Sequence, residues 1–305
     1  MIASVAQLDD AETIGQALDY CNQKLAQSDV FFGHGTDSPW DESVQLVLHA
    51  AGLALDSSGQ VVTQHIDRQT RARIDELLQK RIFDRTPLPY LIGRAWFAGL
   101  EFGCDERAII PRSPIAELIL NEFQPWYSGP EPKQLLDLCC GGGCIGLASA
   151  HYFPDLHVDL LDIDQSALTL AEENAERLGV QGRVSILQSD VFAAVANRRY
   201  DLILSNPPYV NGKDFASMPA EYRHEPERAL ASGEDGLDLT RRILDEAVRH
   251  LTSEGLLVVE VGNSWTTLEH AYPQLPFTWL EFEQGGHGVF VLTARELQEY
   301  KATVF

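Results

Sequence analysis

The amino-acid sequence predicts an α/β protein in three parts: a small helical N-terminal domain over residues 1–85, a linking β-hairpin over 86–112, and a larger domain over 113–305 built on a mostly parallel sheet. Three observations predict it. Between Thr13 and Asp84, apolar residues recur at three- and four-residue spacing, the period of a helix with one buried stripe. From Thr86 to Arg112 the pattern changes to aromatic and β-branched residues broken by glycine. Beyond Ser113, short apolar runs alternate with helical stretches, and that β-α-β-α order calls for parallel strands covered by helices on both faces.

Taken in order, the helical pattern is clearest in VQLVLHAAGLAL (44–55) and RARIDELLQKRIF (71–83). Ahead of the first of these, residues 33–39 form a turn cluster in which Asp37 or Ser38 can cap the next helix, with Pro39 early in it. In the larger domain the strand-like runs are QLLDLC (134–139), HVDLLDI (157–163), RVSILQ (183–188), YDLILS (200–205) and GLLVVEV (255–261). Between them lie helical stretches such as QSALTLAEENAERLG and LTRRILDEAVRHL. The chain closes with FTWLEF and GVFVLT around Gln284-Gly285-Gly286-His287-Gly288, which reads as an antiparallel hairpin at the sheet edge.

Bulk properties narrow the class. Apolar residues make up 45% and charged residues 22% of the 305, an ordinary globular balance, and no apolar run approaches the length that crosses a bilayer. The first thirty residues carry acids early and lack the basic start and apolar run of a signal peptide, so a soluble, cytoplasmic protein is expected. Cys21, Cys104, Cys139, Cys140 and Cys144 form no regular framework and point to reduced thiols. Adjacent cysteines chelate one ion poorly, and no second ligand pair stands at metal spacing, so no metal is expected. The formal charge is −22: residues 1–112 hold 10 basic and 16 acidic side chains, and residues 113–305 hold 13 and 29. So acidic a surface repels nucleic-acid phosphate and attracts cationic partners.

Chemistry concentrates at strand ends. After the first parallel strand, Asp137-Leu138-Cys139-Cys140-Gly141-Gly142-Gly143-Cys144-Ile145-Gly146 runs into a helix, and its small residues let a ligand lie against backbone. Asp162 ends the second run, where a carboxylate can accept both hydrogen bonds of a ribose diol. Asp190 follows the third, where it can meet an adenine edge. Asp164 is the better candidate for the helix cap. Gly141, Gly143 and Gly146 also satisfy G-x-G-x-x-G, so a dinucleotide site stays open, but Asp137 and the motif after the fourth strand are foreign to it. A methyl sulfonium cofactor, which has no pyrophosphate to cradle, fits the loop better.

That fourth strand empties into Asn206-Pro207-Pro208-Tyr209. Neither proline has an amide N–H, so the segment presents carbonyls and the Asn206 side-chain oxygen, which together accept both hydrogens of an NH2 group. Tyr209 offers a flat face to a planar amide or base. An amide nitrogen is a poor nucleophile with a delocalised lone pair, so placement relative to a methyl donor carries the rate.

On these residues the chain resembles the HemK-like protein-(glutamine) methyltransferases along nearly its whole length. The resemblance implies a seven-stranded Rossmann-like S-adenosylmethionine-dependent methyltransferase domain, with the helical domain 1–85 recognising substrate. It also implies that Asn206 and the Pro207 carbonyl bind a glutamine amide, with Tyr209 and Phe97 sandwiching it. Asp137, Cys139, Cys140, Gly141, Gly142, Gly143, Asp162, Asp190, Val191 and Asn206 would then line the S-adenosylmethionine site. Ile110-Pro111-Arg112-Ser113-Pro114-Ile115-Ala116-Glu117, Phe32-Gly33-His34-Gly35-Thr36-Asp37 and Glu221-Tyr222-Arg223-His224-Glu225-Pro226-Glu227 resemble the ribosomal-protein branch. That branch implies a basic protein substrate, the third protein of the large ribosomal subunit. Two departures stand out: Phe32 replaces an expected tyrosine, and Cys140-Gly141-Gly142-Gly143 replaces the usual Thr-Gly-Ser-Gly and loses two hydroxyls.

The rival readings are a release-factor glutamine methyltransferase, a nucleic-acid amino methyltransferase, and a non-catalytic ribosome assembly factor. The acidic larger domain argues against stable nucleic-acid binding, and no membrane association is expected. His34, His224 and His287 are assigned to turns or packing rather than to proton transfer.

Overall fold

The computed structural model describes residues 7–57 and 59–304. Contacts divide the chain into two units: Met1–Arg94 with Pro219–His224, and Ala95–Met218 with Glu225–Phe305. Sequence boundaries at 85/86 and 112/113 follow changes in composition; the contacts divide the chain elsewhere for two physical reasons. Phe97 and Phe102 of the hairpin sink into the core of the second unit. Glu221 answers the buried Arg81 and the half-buried Arg85 of the first.

The first unit holds helices α1 (Ile14–Ala26), α2 (Pro39–Ala50), α3 (Arg68–Ile82) and α4 (Leu88–Ile92). Thr13 starts α1 in a reciprocal capping box with Gln16, Ser38 caps α2 with Pro39 in its first turn, and Asp67 caps α3. Ile14, Leu18, Cys21 and Leu25 form the buried stripe of α1. On α3 the stripe of Ile74 and Leu78 ends in Arg81, which is wholly buried. Its guanidinium donates to Glu42 at 2.8 and 3.1 Å, to Glu221 at 3.1 Å and to the Phe31 carbonyl at 2.7 Å. Thr86-Pro87-Leu88-Pro89 departs from the expected hairpin: its prolines preset a helical φ and begin α4.

The hairpin itself is β1 (Arg94–Phe97) and β2 (Leu100–Gly103), closed by Ala98 and Gly99 at φ 49° and 76°. Two left-handed residues in succession are what a tight two-residue connection requires.

In the second unit, α5 (Ile115–Leu120) precedes β3 (Gln134–Leu138), α6 (Cys144–Tyr152), β4 (His157–Asp162), α7 (Gln165–Leu178), β5 (Val184–Gln188) and β6 (Tyr200–Ser205). Then follow α8 (Gly212–Ser217), α9 (Asp238–His250), β7 (Leu251–Glu260), α10 (Trp265–Ala271), β8 (Thr278–Trp279), β9 (Val289–Thr293) and α11 (Ala294–Val304). The seven strands run β5-β4-β3-β6-β7-β9-β8, with β3 to β7 parallel and β9 antiparallel to both of its neighbours. Alternate residues serve opposite faces: Leu135, Leu202 and Val258 enter one core, and Leu136, Ile203 and Val259 the other. Both faces are therefore buried, which is why these strands read as unbroken apolar runs. The expected strand FTWLEF is cut to Thr278–Trp279, because the Glu283 and Gln284 amides turn away and donate to the Glu117 carboxylate.

Strand order reverses between β3 and β6. Open α/β sheets part there beyond the carboxyl ends of their strands, and that is where a ligand crevice forms. Among the described residues no helix is long and apolar enough to cross a membrane.

Candidate active site at the strand switch

Leu138 of β3 pairs with Ser205 of β6, so Cys139 and Asn206 are the first residues beyond two adjacent strand ends. The Ser205 hydroxyl ties those ends together, donating to the Leu138 carbonyl at 2.8 Å. The chain then folds back tightly: Cys139, Gly141 and Gly143 have φ of 59°, 53° and 81°, and Gly143 opens α6. Left-handed backbone is easy for glycine and strained for cysteine, so Cys139 spends local stability on the shape of the loop.

Two aspartates hold the loop. Asp137 is wholly buried; its Oδ2 accepts from the Gly146 amide at 2.8 Å, and its Oδ1 has no partner among the described residues. Burial pushes this carboxyl up to about 7. Asp162, at the end of β4, accepts from the amides of Gly141 and Asp164, each at 2.9 Å. Burial also raises its carboxyl. Each of its oxygens keeps a lone pair for a ligand hydroxyl. Asp164 caps α7 through the Ser166 amide, as its position suggested.

A cavity of about 220 Å³ opens on this loop. Cys139, Cys140, Gly141, Gly142, Asp162, Asp190, Val191, Asn206 and Pro208 lie on its wall. Asp190 is exposed and paired with Arg242 at 2.8 Å, which holds its carboxyl below the usual range. Val191 reaches the wall through a left-handed φ of 49°. Cys104 and Cys144 join Cys139 and Cys140 on the wall, and burial pushes all four thiols up, so they stand there as neutral small groups. Among the described residues no group of His, Cys, Asp and Glu side chains could hold a metal.

The segment 102–113, expected as the end of the linking hairpin and the start of the block 110–117, also supplies residues to the wall. Glu225 fixes it: its buried carboxylate accepts from Arg112 at 2.5 and 2.7 Å and from the Ile110 amide at 3.0 Å. The sequence blocks 110–117 and 221–227 therefore meet through Arg112 and Glu225. Asn174 of α7 is 1% exposed and joins wall to loop, pairing with both backbone groups of Gly103 and donating to the Gly142 carbonyl at 3.0 Å. An asparagine in phase with Leu170 and Ala171 on a core-facing helix stripe was the available signal for it.

Asn206 is partly buried, and its side chain makes no hydrogen bond to any described residue. Tyr209, by contrast, is held at its hydroxyl, its carbonyl and one face of its ring. Its hydroxyl donates to Glu260 at 2.8 Å, and the Ser264 hydroxyl donates to its carbonyl at 2.9 Å. Its ring lies on Gly262, where a Cβ would stand 2.5 Å from Cε2.

Five of the expected site residues do not reach the cavity wall: Asp137, Gly143, Pro207, Tyr209 and Phe97. Asp137 and Gly143 lie behind the loop they shape. Phe97 is 4% exposed and edge-on to Phe102 with ring centroids 6.3 Å apart, and Phe102 is the hairpin ring on the wall. Both rings belong to the core of the second unit. His34 lies among the Phe31 and Tyr222 rings, His224 meets the Asp84 carbonyl, and His287 meets Asn263.

Comparison with known proteins gives the following. Residues 116–233 match the Methyltransferase small domain family. The chain is 44% identical over 295 residues to a ribosomal protein uL3 glutamine methyltransferase of Francisella tularensis, covering 96% of this chain and 94% of that one. It is 44% identical over 301 residues to a protein of the same name from Xanthomonas campestris, covering 99% and 97%. Among solved structures, the hMettl16 catalytic domain in complex with the MAT2A 3′UTR hairpin 6 superposes with a TM-score of 0.50 at 16% identity, covering 73% of this chain and 80% of that one. That likeness speaks to the fold alone.

Proposed function

Because the chain belongs to the ribosomal protein uL3 glutamine methyltransferases, we propose that it transfers a methyl group from S-adenosylmethionine to the side-chain amide nitrogen of a glutamine in ribosomal protein uL3. One observation carries the reading at the site: Asn206, with an unengaged amide side chain, stands at the strand switch between the glycine loop and the anchored ring of Tyr209.

The residues fit the cofactor. Asp137 keeps a buried oxygen without a partner, suited to a cationic amino group. Asp162 keeps acceptor capacity for a ribose diol, and Gly141 and Gly142 leave backbone bare where a side chain at 142 would press on Leu170 at 3.2 Å. Asp190 and Val191 are assigned to the adenine side of the cavity. The lost hydroxyl at 140 is answered by a thiol 3.7 Å from the Gly141 carbonyl. When bound, the cofactor supplies an electrophilic methyl on a sulfonium.

The chain's own residues do the rest. The Asn206 side-chain oxygen and the Pro207 carbonyl accept the two hydrogens of the glutamine amide, which turns the nitrogen lone pair towards the methyl group. Both prolines lack an N–H, so nothing in the segment competes for those acceptors from its own backbone. Tyr209 presents its face to the planar amide. The nitrogen gains a methyl and releases one proton. No strong base is called for, since charge placement and orientation lower the barrier. The helical first unit is assigned to gripping the protein substrate, and a ribosomal-protein substrate argues for a cytoplasmic reaction.

The test is transfer of isotopically labelled methyl from S-adenosylmethionine to purified uL3, followed by peptide mapping. Label on one glutamine side chain is the expected result. Label on lysine or arginine, or on RNA in place of uL3, would refute the reading.

A further inference from the structure

Glu260 ends β7 one strand away from Asn206 and is 6% exposed. It is the only charged residue in the run Gly255–Gly262. A carboxylate so placed costs free energy unless its oxygens are engaged, and here both are. The Tyr209 hydroxyl donates to Oε1 at 2.8 Å, and the Ser113 hydroxyl donates to Oε2 at 2.6 Å. Ser113 belongs to the cavity wall; Tyr209 does not. One carboxylate therefore spans the ring offered to substrate and the segment offered to cofactor.

The surroundings leave the ring little other freedom. Gly262 supports it from below, and Gly262 is itself locked, because a Cβ at Gly288 would overlap the Gly262 carbonyl while the Val261 amide donates to Gly288 at 2.7 Å. Gly286 sits close against Pro114, beside Ser113, where a Cβ would stand 2.9 Å from the proline ring. The glycine-rich turn 284–288 thus braces the same pair from outside.

We propose that Glu260 is a positioning residue for methyl transfer, holding the Tyr209 ring at a fixed place relative to the Ser113 wall through its two hydrogen bonds. This rests on the reading above, in which Tyr209 is the face for the substrate amide.

The experiment is a double-mutant cycle with Glu260→Ala and Tyr209→Phe, measured on uL3 at saturating cofactor, with Tyr209→Ala and Glu260→Gln alongside. Losing the hydroxyl–carboxylate link should cost about tenfold in kcat/KM in either single variant, and the double variant should be no worse than one of them. Glu260→Gln, whose amide oxygen still accepts from Tyr209, should recover activity to within about threefold of wild type. Additive losses, or a Glu260→Gln variant as weak as Glu260→Ala, would overturn the proposal. If Glu260→Ala does not fold, Tyr209→Phe decides: a drop of about tenfold with an unchanged melting temperature supports the link, and unchanged kcat/KM overturns it. A fully active Tyr209→Ala variant would strike the reading of Tyr209 itself. An inactive Tyr209→Ala beside a fully active Glu260→Ala would strike only Glu260.

Discussion

Asp137 shows how much one side chain can carry from behind the glycine loop. One oxygen holds the start of α6 through Gly146, and the other is buried without a partner. Its carboxyl stands at about 7 against an ordinary 3.8, so between those values the folded protein keeps a proton that the unfolded chain has lost. The stability from this group is therefore present below about 3.8 and drains as pH rises through about 7. A bound cation reverses the preference. Calorimetric titration with S-adenosylhomocysteine should accordingly give binding about tenfold tighter at roughly pH 8 than at pH 6, and Asp137→Asn should flatten that slope. Equal affinity at both pH values would show that the free oxygen serves some other purpose. Which residues meet at the cavity was legible wherever a strand ended: Asp162, the glycine loop and Asn206 announce themselves by position. Glu260, Ser113 and Asn174 did not, because their partners lie 51, 147 and 71 positions away in the chain and no local spacing encodes such meetings.

At the scale of elements, the approach of α6 to the sheet is set by a missing side chain. A Cβ at Gly146 would overlap Leu160 Cδ2 and stand 3.0 Å from Val158 and 3.1 Å from the Asp137 Cβ. Gly146→Ala must push α6 away from β4 and stretch the Asp137 bond at the same time. The expected cost is about 1–3 kcal/mol of stability by denaturant unfolding, with weakened cofactor binding. A variant with wild-type stability would mean that the helix has room the packing does not show. The strands β3, β4, β6 and β7 were legible because burial on both faces leaves largely apolar runs, and β5, the half-buried edge strand, was legible from its place in the β-α-β order. The short helix α4 and the truncated β8 were not, since prolines in the one case and the Glu117 carboxylate in the other redirect the backbone.

At the scale of the whole molecule, charge and topology divide the work. The sheet supplies a crevice where strand order reverses, and four of its strand ends deliver the glycine loop, two acids and Asn206 to that crevice. A net charge of −22 would attract a basic substrate over distances that short-range contacts do not reach. KM for uL3 should rise about tenfold between roughly 0.05 and 0.5 M salt while kcat stays nearly constant. A salt-independent KM would remove charge from the account of recognition. The fold class was readable from the order of elements, but the transfer of Pro219–His224 to the first unit was not, because it depends on Glu221 meeting Arg81 across 140 residues of sequence. The central claim is that Asn206 receives the amide and the glycine loop receives the cofactor, and one variant separates the two. With Asn206→Ala, methyl transfer to uL3 should fall by about a hundredfold in kcat while S-adenosylhomocysteine still binds within about threefold of wild type. Wild-type turnover in that variant would contradict the account.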